Sequence, residues 1–291
     1  MTTVQIENTP IDADGRTLED KLASLNEILS GLGRVLIGYS GGVDSTFLAH
    51  AAHTALGERA IAVTAESPSY SDKDRQDGLR FATQIGIRHT FVKTTEVENE
   101  DYAVNDANRC YFCKEELFTQ IGAFLKEHPE YENVTYGPVT DDLGDYRPGM
   151  KAAMLAGARA PLVEADLSKG EVRVLSLHFE LESWDKPAAP CLSSRIAYGE
   201  YITPEKLSQV EQAEAFVRAE GFTEFRVRHH DDVARLELRT EDFEEFFADG
   251  RRERIIENLK SVGYTYVTLD AGGFRSGSMN DILEALPLIQ G

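Results

Sequence analysis

Residues 35–52 read VLIGYSGGVDSTFLAHAA, and the six at their centre, Ser40-Gly41-Gly42-Val43-Asp44-Ser45, decide the fold. An apolar run, Val35–Tyr39, stops at two glycines, and a helix-forming stretch from about Val43 to Leu56 starts directly after them. A strand that turns through glycines into a helix aims backbone N–H groups at an anion, and glycine lets the backbone approach it closely. The lysine that accompanies such a cradle in the GxxxxGK[ST] form is missing, and GxGxxG is absent too.

What remains is SGGxDS, the pyrophosphate loop of ATP enzymes that transfer AMP to an oxygen and release pyrophosphate. There the leaving group is held by backbone donors, hydroxyls and Mg²⁺. Ser40, Gly41, Gly42 and Ser45 are therefore expected to bind ATP, and Asp44 to help hold Mg²⁺. The plain alternative is an ordinary glycine turn between strand and helix.

Outward from the loop, strand and helix alternate. A helix with an apolar stripe (Leu18, Leu22, Leu25, Ile28, Leu29) is expected over Thr17–Ser30. Strands are expected at Ala60–Thr64, His89–Lys93 and Val134–Tyr136, each followed by a helix: Asp72–Ile85, Cys113–Glu127 and Gly149–Ala156. Ser168-Lys169-Gly170-Glu171 has capping-box spacing for a further helix to about Leu181. This rhythm predicts an α/β fold, a doubly wound parallel sheet with helices on both faces. Residues 183–204 carry Pro187, Pro190 and Pro204 and read as an irregular connection, placing a domain boundary near 185–203. Beyond it come a helix over Pro204–Glu220, strands Glu224–His230 and Val233–Arg239, a helix over Glu241–Ser261 and strand Tyr264–Asp270. The expected layout is a flexible lead, 1–16, an ATP-binding domain, 17–190, and a smaller α/β domain, 200–291, for substrate binding or oligomerisation.

The 291 residues carry 50 acidic against 30 basic side chains, a formal charge of −20. That disfavours nucleic acid as a partner, because such binding rests on Lys and Arg neutralising phosphates. No apolar run approaches membrane-spanning length and the N-terminus lacks a signal-peptide pattern, so a cytoplasmic protein is expected. Three cysteines in that setting point to metal or catalytic work rather than disulfides.

Two further groups carry chemistry. Loop 137–149, GPVTDDLGDYRPG, concentrates Asp141, Asp142, Asp145 and Arg147 at the same sheet edge as the glycine loop, suited to orient Mg²⁺ or a ribose; capping aspartates in a polar turn are the alternative. Cys110 and Cys113 stand one helical turn apart in NRCYFC, with Cys191 far downstream in PCLSSRI. A lone CxxC fits a redox pair, half a zinc site or iron–sulfur ligands. Three cysteines without a fourth suit a [4Fe–4S] cluster with one open iron.

The stretches GYSGGVDSTFLAHAA, DDLGDYRPG, PCLSSRIAYGEYIT and GGFRSGSMN together resemble the ATP-dependent sulfur transferases called LarE, from about Leu18 onward. The resemblance implies adenylylation of a carboxylate of a pyridinium mononucleotide and its conversion to a thiocarboxylate, the precursor of the nickel-pincer cofactor of lactate racemase. It also implies a homo-oligomer. Well-known members give up the sulfur of one cysteine, at the position of Cys191. Cys110 and Cys113 depart from that pattern and imply the three-cysteine variety, in which a cluster replenished by a sulfide donor supplies the sulfur. Cys191, Asp44 and Arg195 are the expected catalytic residues.

A phosphorylated acceptor calls for a phosphate grip, and Arg carries the forked donor for it. Arg226 and Arg228 alternate in FRVRHH, and GFRSGSMN adds Arg275, Ser276 and Ser278. A salt-bridged face with Glu237 is the alternative reading. Rival functions are a tRNA thiolase, against which the acidity speaks, an amidotransferase, which leaves the cysteines unexplained, and a nonenzymatic iron–sulfur carrier.

Overall fold

Alternation in the strand before the glycine loop sets two faces. Val35 and Ile37 join one apolar cluster and Leu36 another; in the next strand Ala60 and Ala62 go with the first, Ile61 and Val63 with the second. Strands buried on both faces need helices on both, and each aliphatic side chain so buried contributes about 1.5–3 kcal/mol. The computed structural model describes residues 12, 14–144, 148–275 and 278–280. It divides into two units: the chain up to Thr95 with Cys110–Ala189, and Glu96–Arg109 with the chain from Pro190.

Along the chain come α1 (Leu18–Ser30), β1 (Val35–Gly38), α2 (Val43–Leu56), β2 (Ala60–Glu66), α3 (Asp72–Ile85) and β3 (Arg88–Lys93). After a one-turn helix of the second unit, α4 (Glu100–Ala103), follow α5 (Arg109–Glu127), β4 (Asn133–Thr135), α6 (Pro148–Leu155), α7 (Pro161–Glu164) and α8 (Lys169–His178). The four strands of the first unit are parallel, in the order β3-β2-β1-β4. Residues of α1, α2 and α8 fill the first cluster, and Phe118 and Ile121 of α5 with Ala153 of α6 the second. The doubly wound α/β expectation is met. Thr17 and Ser168 each close a capping box, with Asp20 and Glu171.

Strand order reverses at β1: β2 and β3 lie to one side, β4 to the other. The crevice outside the carboxyl ends of the strands at such a switch point is where ligands bind in open α/β sheets. The Ser40–Ser45 loop occupies that place.

The second unit adds α9 (Pro204–Ala219), β5 (Phe225–His230), β6 (Val233–Leu238), α10 (Phe243–Phe247), α11 (Arg251–Ser261) and β7 (Tyr266–Leu269). β5 pairs antiparallel with β6, and β7 parallel with β6. Val217 of α9 and Ile255 and Leu259 of α11 bury against Val227, Leu236 and Leu238 of this small sheet. The single helix expected over Glu241–Ser261 is broken instead, because Asp249 (φ 53°) and Gly250 (φ 68°) are left-handed and no helix continues through such a pair.

Candidate active site

The loop after β1 folds around its own hydroxyls. Ser45 Oγ accepts from the Ser40 amide at 3.2 Å and donates to the Gly42 carbonyl at 3.2 Å, and the Ser40 and Ser45 hydroxyls lie 3.1 Å apart. Gly41 has φ +64°, and a Cβ there would lie 2.7 Å from Cα of Gly78 in α3. Only glycine fits a left-handed residue pressed so closely on another backbone. Gly42 caps α2 without a side-chain hydrogen bond, and the first amides of a helix are ones it cannot satisfy internally. Gly137, just after β4, packs the neighbouring loop against the same turn; its Cβ would be 3.2 Å from the Ser45 amide. Tyr70 donates to the Ser40 carbonyl at 2.9 Å and Tyr39 to the Gly78 carbonyl at 3.0 Å. Burial pushes the Tyr39 phenol up to about 12, so it stays a donor.

Two lysines reach this loop, neither of them signalled by the motif. Lys169, at the start of α8, places Nζ 2.7 and 2.6 Å from the two oxygens of Asp44. Burial raises the Asp44 carboxyl above the ordinary carboxylate range, the negative charge of Asp142 adds to that, and Lys169 opposes it. Lys186 donates to the Gly41 carbonyl at 3.3 Å and sits 3.0 Å from Asp74 and 3.5 Å from Asp77. Asp142 is buried and accepts from the Val139 amide at 3.0 Å, while Asp141 accepts from the Lys169 amide at 2.7 Å. Asp145 and Arg147 lie outside the described residues.

In the second unit the arginines of the sequence form a charged layer. Arg195 makes a two-pronged pair with Glu214, at 2.9 and 3.1 Å, and donates to the Cys191 carbonyl at 3.0 Å. Arg228 donates to Glu237 at 3.0 Å, to the Ser194 carbonyl at 3.0 Å and to Ser278 at 2.9 Å. Arg226 lies over the Phe274 ring at 5.1 Å. Burial, then the charges of Arg195 and Arg228, pull its pKa down to about 10. Arg275 is exposed, and Ser276 lies outside the described residues.

Known proteins match nearly the whole chain. A family model for NAD synthase matches residues 18–116, the part that holds the glycine loop. A pyridinium-3,5-bisthiocarboxylic acid mononucleotide synthase of Lactiplantibacillus plantarum is 36% identical over 271 residues, 92% of this chain and 96% of that protein. The chain belongs to the LarE family. An uncharacterised protein of Synechocystis is 45% identical over 91% of this chain and 99% of its own length. One subunit of a glutamine-hydrolysing GMP synthase from Methanocella arvoryzae is 27% identical over 73% of each chain. Family and loop together make the chain an ATP-dependent sulfurtransferase.

Cys191 is half-buried at the head of a short turn, Leu192–Arg195, in the second unit. That turn is held by residues that no motif singles out. Tyr102 and Ser193 share a hydroxyl hydrogen bond of 2.6 Å, Asn105 donates to the Ala197 carbonyl at 2.8 Å, and Arg109 to the Ser193 carbonyl at 3.1 Å. Asn105 is itself left-handed (φ 57°), a conformation asparagine tolerates better than most residues. Cys110 is exposed in the first turn of α5, and Cys113, one turn further on, is half-buried. Among the described residues no three His, Cys, Asp or Glu side chains converge as a metal site, and no helix is long and apolar enough to cross a membrane.

Proposed function

We propose that the enzyme adenylylates a carboxylate of a pyridinium mononucleotide and converts it to a thiocarboxylate, in the synthesis of a nickel-pincer nucleotide. The observation that carries this reading is the synthase relative, matched over nearly the whole of both chains. The loop supplies the chemistry. A carboxylate oxygen of the acceptor attacks the α-phosphorus, the bond to the bridging oxygen breaks, and pyrophosphate leaves with its electron pair into the amides and hydroxyls of Ser40–Ser45. The acyl adenylate then has a leaving group that a carboxylate lacks, and a sulfur nucleophile displaces AMP. Asp44 holds Mg²⁺ and Asp142 supports the nucleotide from the neighbouring loop. Arg226, Arg228 and Arg275, in the domain spanning 200–291, grip the acceptor phosphate. The test is product formation: Mg·ATP with pyridinium-3,5-biscarboxylic acid mononucleotide and a sulfur source should give AMP, pyrophosphate and thiocarboxylate in step. Pyrophosphate release that responds to tRNA or ammonia and not to the mononucleotide would overturn the reading.

The sulfur source is a finer part of the same proposal, a [4Fe–4S] cluster ligated by Cys110, Cys113 and Cys191 and resupplied by a sulfide donor. Its support is the count of three thiols and no fourth. The described residues bring no three ligands together, and the adenylylation steps above proceed without a cluster. Iron and sulfide analysis of anaerobically reconstituted protein decides it, with dehydroalanine at position 191 after one turnover as the contrary result. A cytoplasmic setting, supported by three cysteines kept out of disulfides, and a homo-oligomer complete the proposal.

A further inference from the structure

We propose that Tyr102, Asn105 and Arg109 are positioning residues for the sulfur step: they lock the turn that follows Cys191, so that sulfur meets the activated acyl group at one fixed place. The inference rests on the reading of Cys191 as the sulfur-handling cysteine. It holds whether Cys191 gives up its own sulfur or ligates the iron that carries one, because either role needs its Sγ held still.

The turn is pinned from both sides. At its start the Cys191 carbonyl accepts from the Ser194 amide and from Arg195, each at 3.0 Å. Further along, the Ser193 hydroxyl shares its 2.6 Å hydrogen bond with Tyr102. One guanidinium nitrogen of Arg109 donates both to the Ser193 carbonyl, at 3.1 Å, and to the side-chain carbonyl of Asn105. Asn105 is the hub. Its side-chain amide donates to the Ala197 and Ile196 carbonyls at 2.8 and 3.3 Å, and its own backbone carbonyl accepts from the Gly199 amide at 3.1 Å.

Two features set this network apart from packing. Tyr102, Asn105, Arg109 and Ser193 are 1%, 0%, 5% and 0% exposed. At such depth a pair of apolar groups of the same shape can serve stability as well as a hydrogen bond. What the hydrogen bonds add is direction, since they fix a distance and an angle while hydrophobic contact is non-directional. Asn105 is also left-handed, with φ 57°. Backbone held in that region is imposed by its surroundings, and such residues cluster at functional sites. A sulfur displaced by about 1 Å transfers about a hundredfold more slowly, which is what a rigid turn prevents.

The experiment uses the full chain. Pyrophosphate release and thiocarboxylate formation are followed in single turnovers with the mononucleotide, beside thermal melting. Alkylation of Cys191 by iodoacetamide is read by peptide mass on the cluster-free chain. Tyr102→Phe with Ser193→Ala removes both partners of one hydrogen bond, so it should melt near the parent and release pyrophosphate at the parent rate. Thiocarboxylate should nonetheless form about tenfold to a hundredfold more slowly. Arg109→Met should show the same split between the two products, and Arg109→Lys, which keeps a cationic donor, should recover part of the loss. Asn105→Gly keeps the left-handed backbone at little strain and removes three side-chain hydrogen bonds. Its Cys191 should alkylate about tenfold faster, through more frequent local opening. A double variant that forms thiocarboxylate at the parent rate, or loses pyrophosphate release in step with it, would overturn the inference. Parent-like alkylation of Cys191 in Asn105→Gly would do the same. If the parent itself forms no thiocarboxylate, the proposed function fails, while alkylation still decides whether Asn105 holds the turn.

Discussion

The loop after β1 and the charged layer beside β5 and β6 handle charge by opposite means. Around the loop the donors are mostly backbone, and the pair at Asp44 is partly open to solvent, with 38% of the Lys169 side chain and 22% of the Asp44 side chain exposed. In the second unit Arg195 and Glu214 are 6% and 5% exposed, and Arg228 and Glu237 6% and 0%. An open pair is worth little and can change partners; a buried pair cannot lose one member without stranding the other charge. The first arrangement suits a site through which phosphate passes, and the second holds a shape.

The largest expected effect breaks the buried side of that contrast. Arg195→Met should cost about 3–5 kcal/mol by leaving Glu214 uncompensated, measured by urea unfolding, whereas Arg195→Met with Glu214→Leu should recover much of it. A single-variant loss below about 1 kcal/mol, the range of an exposed pair, would place Arg195 among the exchangeable charges. Next comes Gly41→Ala. A left-handed alanine costs about 1–3 kcal/mol, and its Cβ would press within 2.7 Å of the Gly78 backbone, so the loop must shift. Pyrophosphate release should collapse while the second unit keeps its stability. Unchanged release would mean the loop's shape is not what positions ATP.

Lys186 tests whether the loop's charge is local. Removing it leaves Asp74 and Asp77 beside the loop proposed to take the polyphosphate, so Lys186→Met should weaken Mg·ATP about tenfold, near 1.4 kcal/mol, and Asp77→Asn in the same chain should restore part of it. Equal affinity in parent and variant would remove Lys186 from the site. Burial works against the Asp77 carboxylate, but hydrogen bonds from Lys73 and Arg80 and the charge of Lys186 hold its pKa below the ordinary 3.8. A depressed folded pKa gives stability that is present above the unfolded value and lost as pH falls through the folded one. Lys186→Met should therefore move acid unfolding to higher pH.

These residues also mark what the sequence could and could not disclose. Ser40–Ser45 was legible because loop, hydroxyls and helix start are contiguous, and the alternation of strand and helix along the chain predicted a sheet covered on both faces. Lys169 and Lys186 were not, because a cation that arrives from α8 or from the segment beyond it carries no spacing signal relative to the loop. Glu214 escaped for the same reason: it sits in α9, and only the fold reveals that it pairs with Arg195. The break at Asp249-Gly250 carries a signal in the sequence, a turn-forming dipeptide, that the single helix expected over Glu241–Ser261 passed over. Helix α5 starts at Arg109 rather than near Cys113, which puts both cysteines of the CxxC inside the helix, one turn apart.

The smallest expected effect on stability is the most telling about the charged layer. Three guanidiniums, of Arg195, Arg226 and Arg228, face two carboxylates, of Glu214 and Glu237, each of which influences Arg226. Arg226 pays for that excess: its pKa falls to about 10 against an ordinary 12.5. For a cation with a lowered folded pKa the unfolded chain holds the proton more tightly, so folding is disfavoured at every pH below about 10, and by the same amount from pH 7 to 9. Arg226→Met should then leave the melting temperature unchanged or raise it, equally at pH 7 and pH 9. If Arg226 is there to meet the acceptor's phosphate, the same variant should weaken the mononucleotide about tenfold to a hundredfold, the range for a charged hydrogen bond, with Mg·ATP affinity intact. A residue kept against stability and needed for one ligand belongs to a binding site. A melting temperature that drops while the mononucleotide binds as before would instead make Arg226 one more strut of the buried layer.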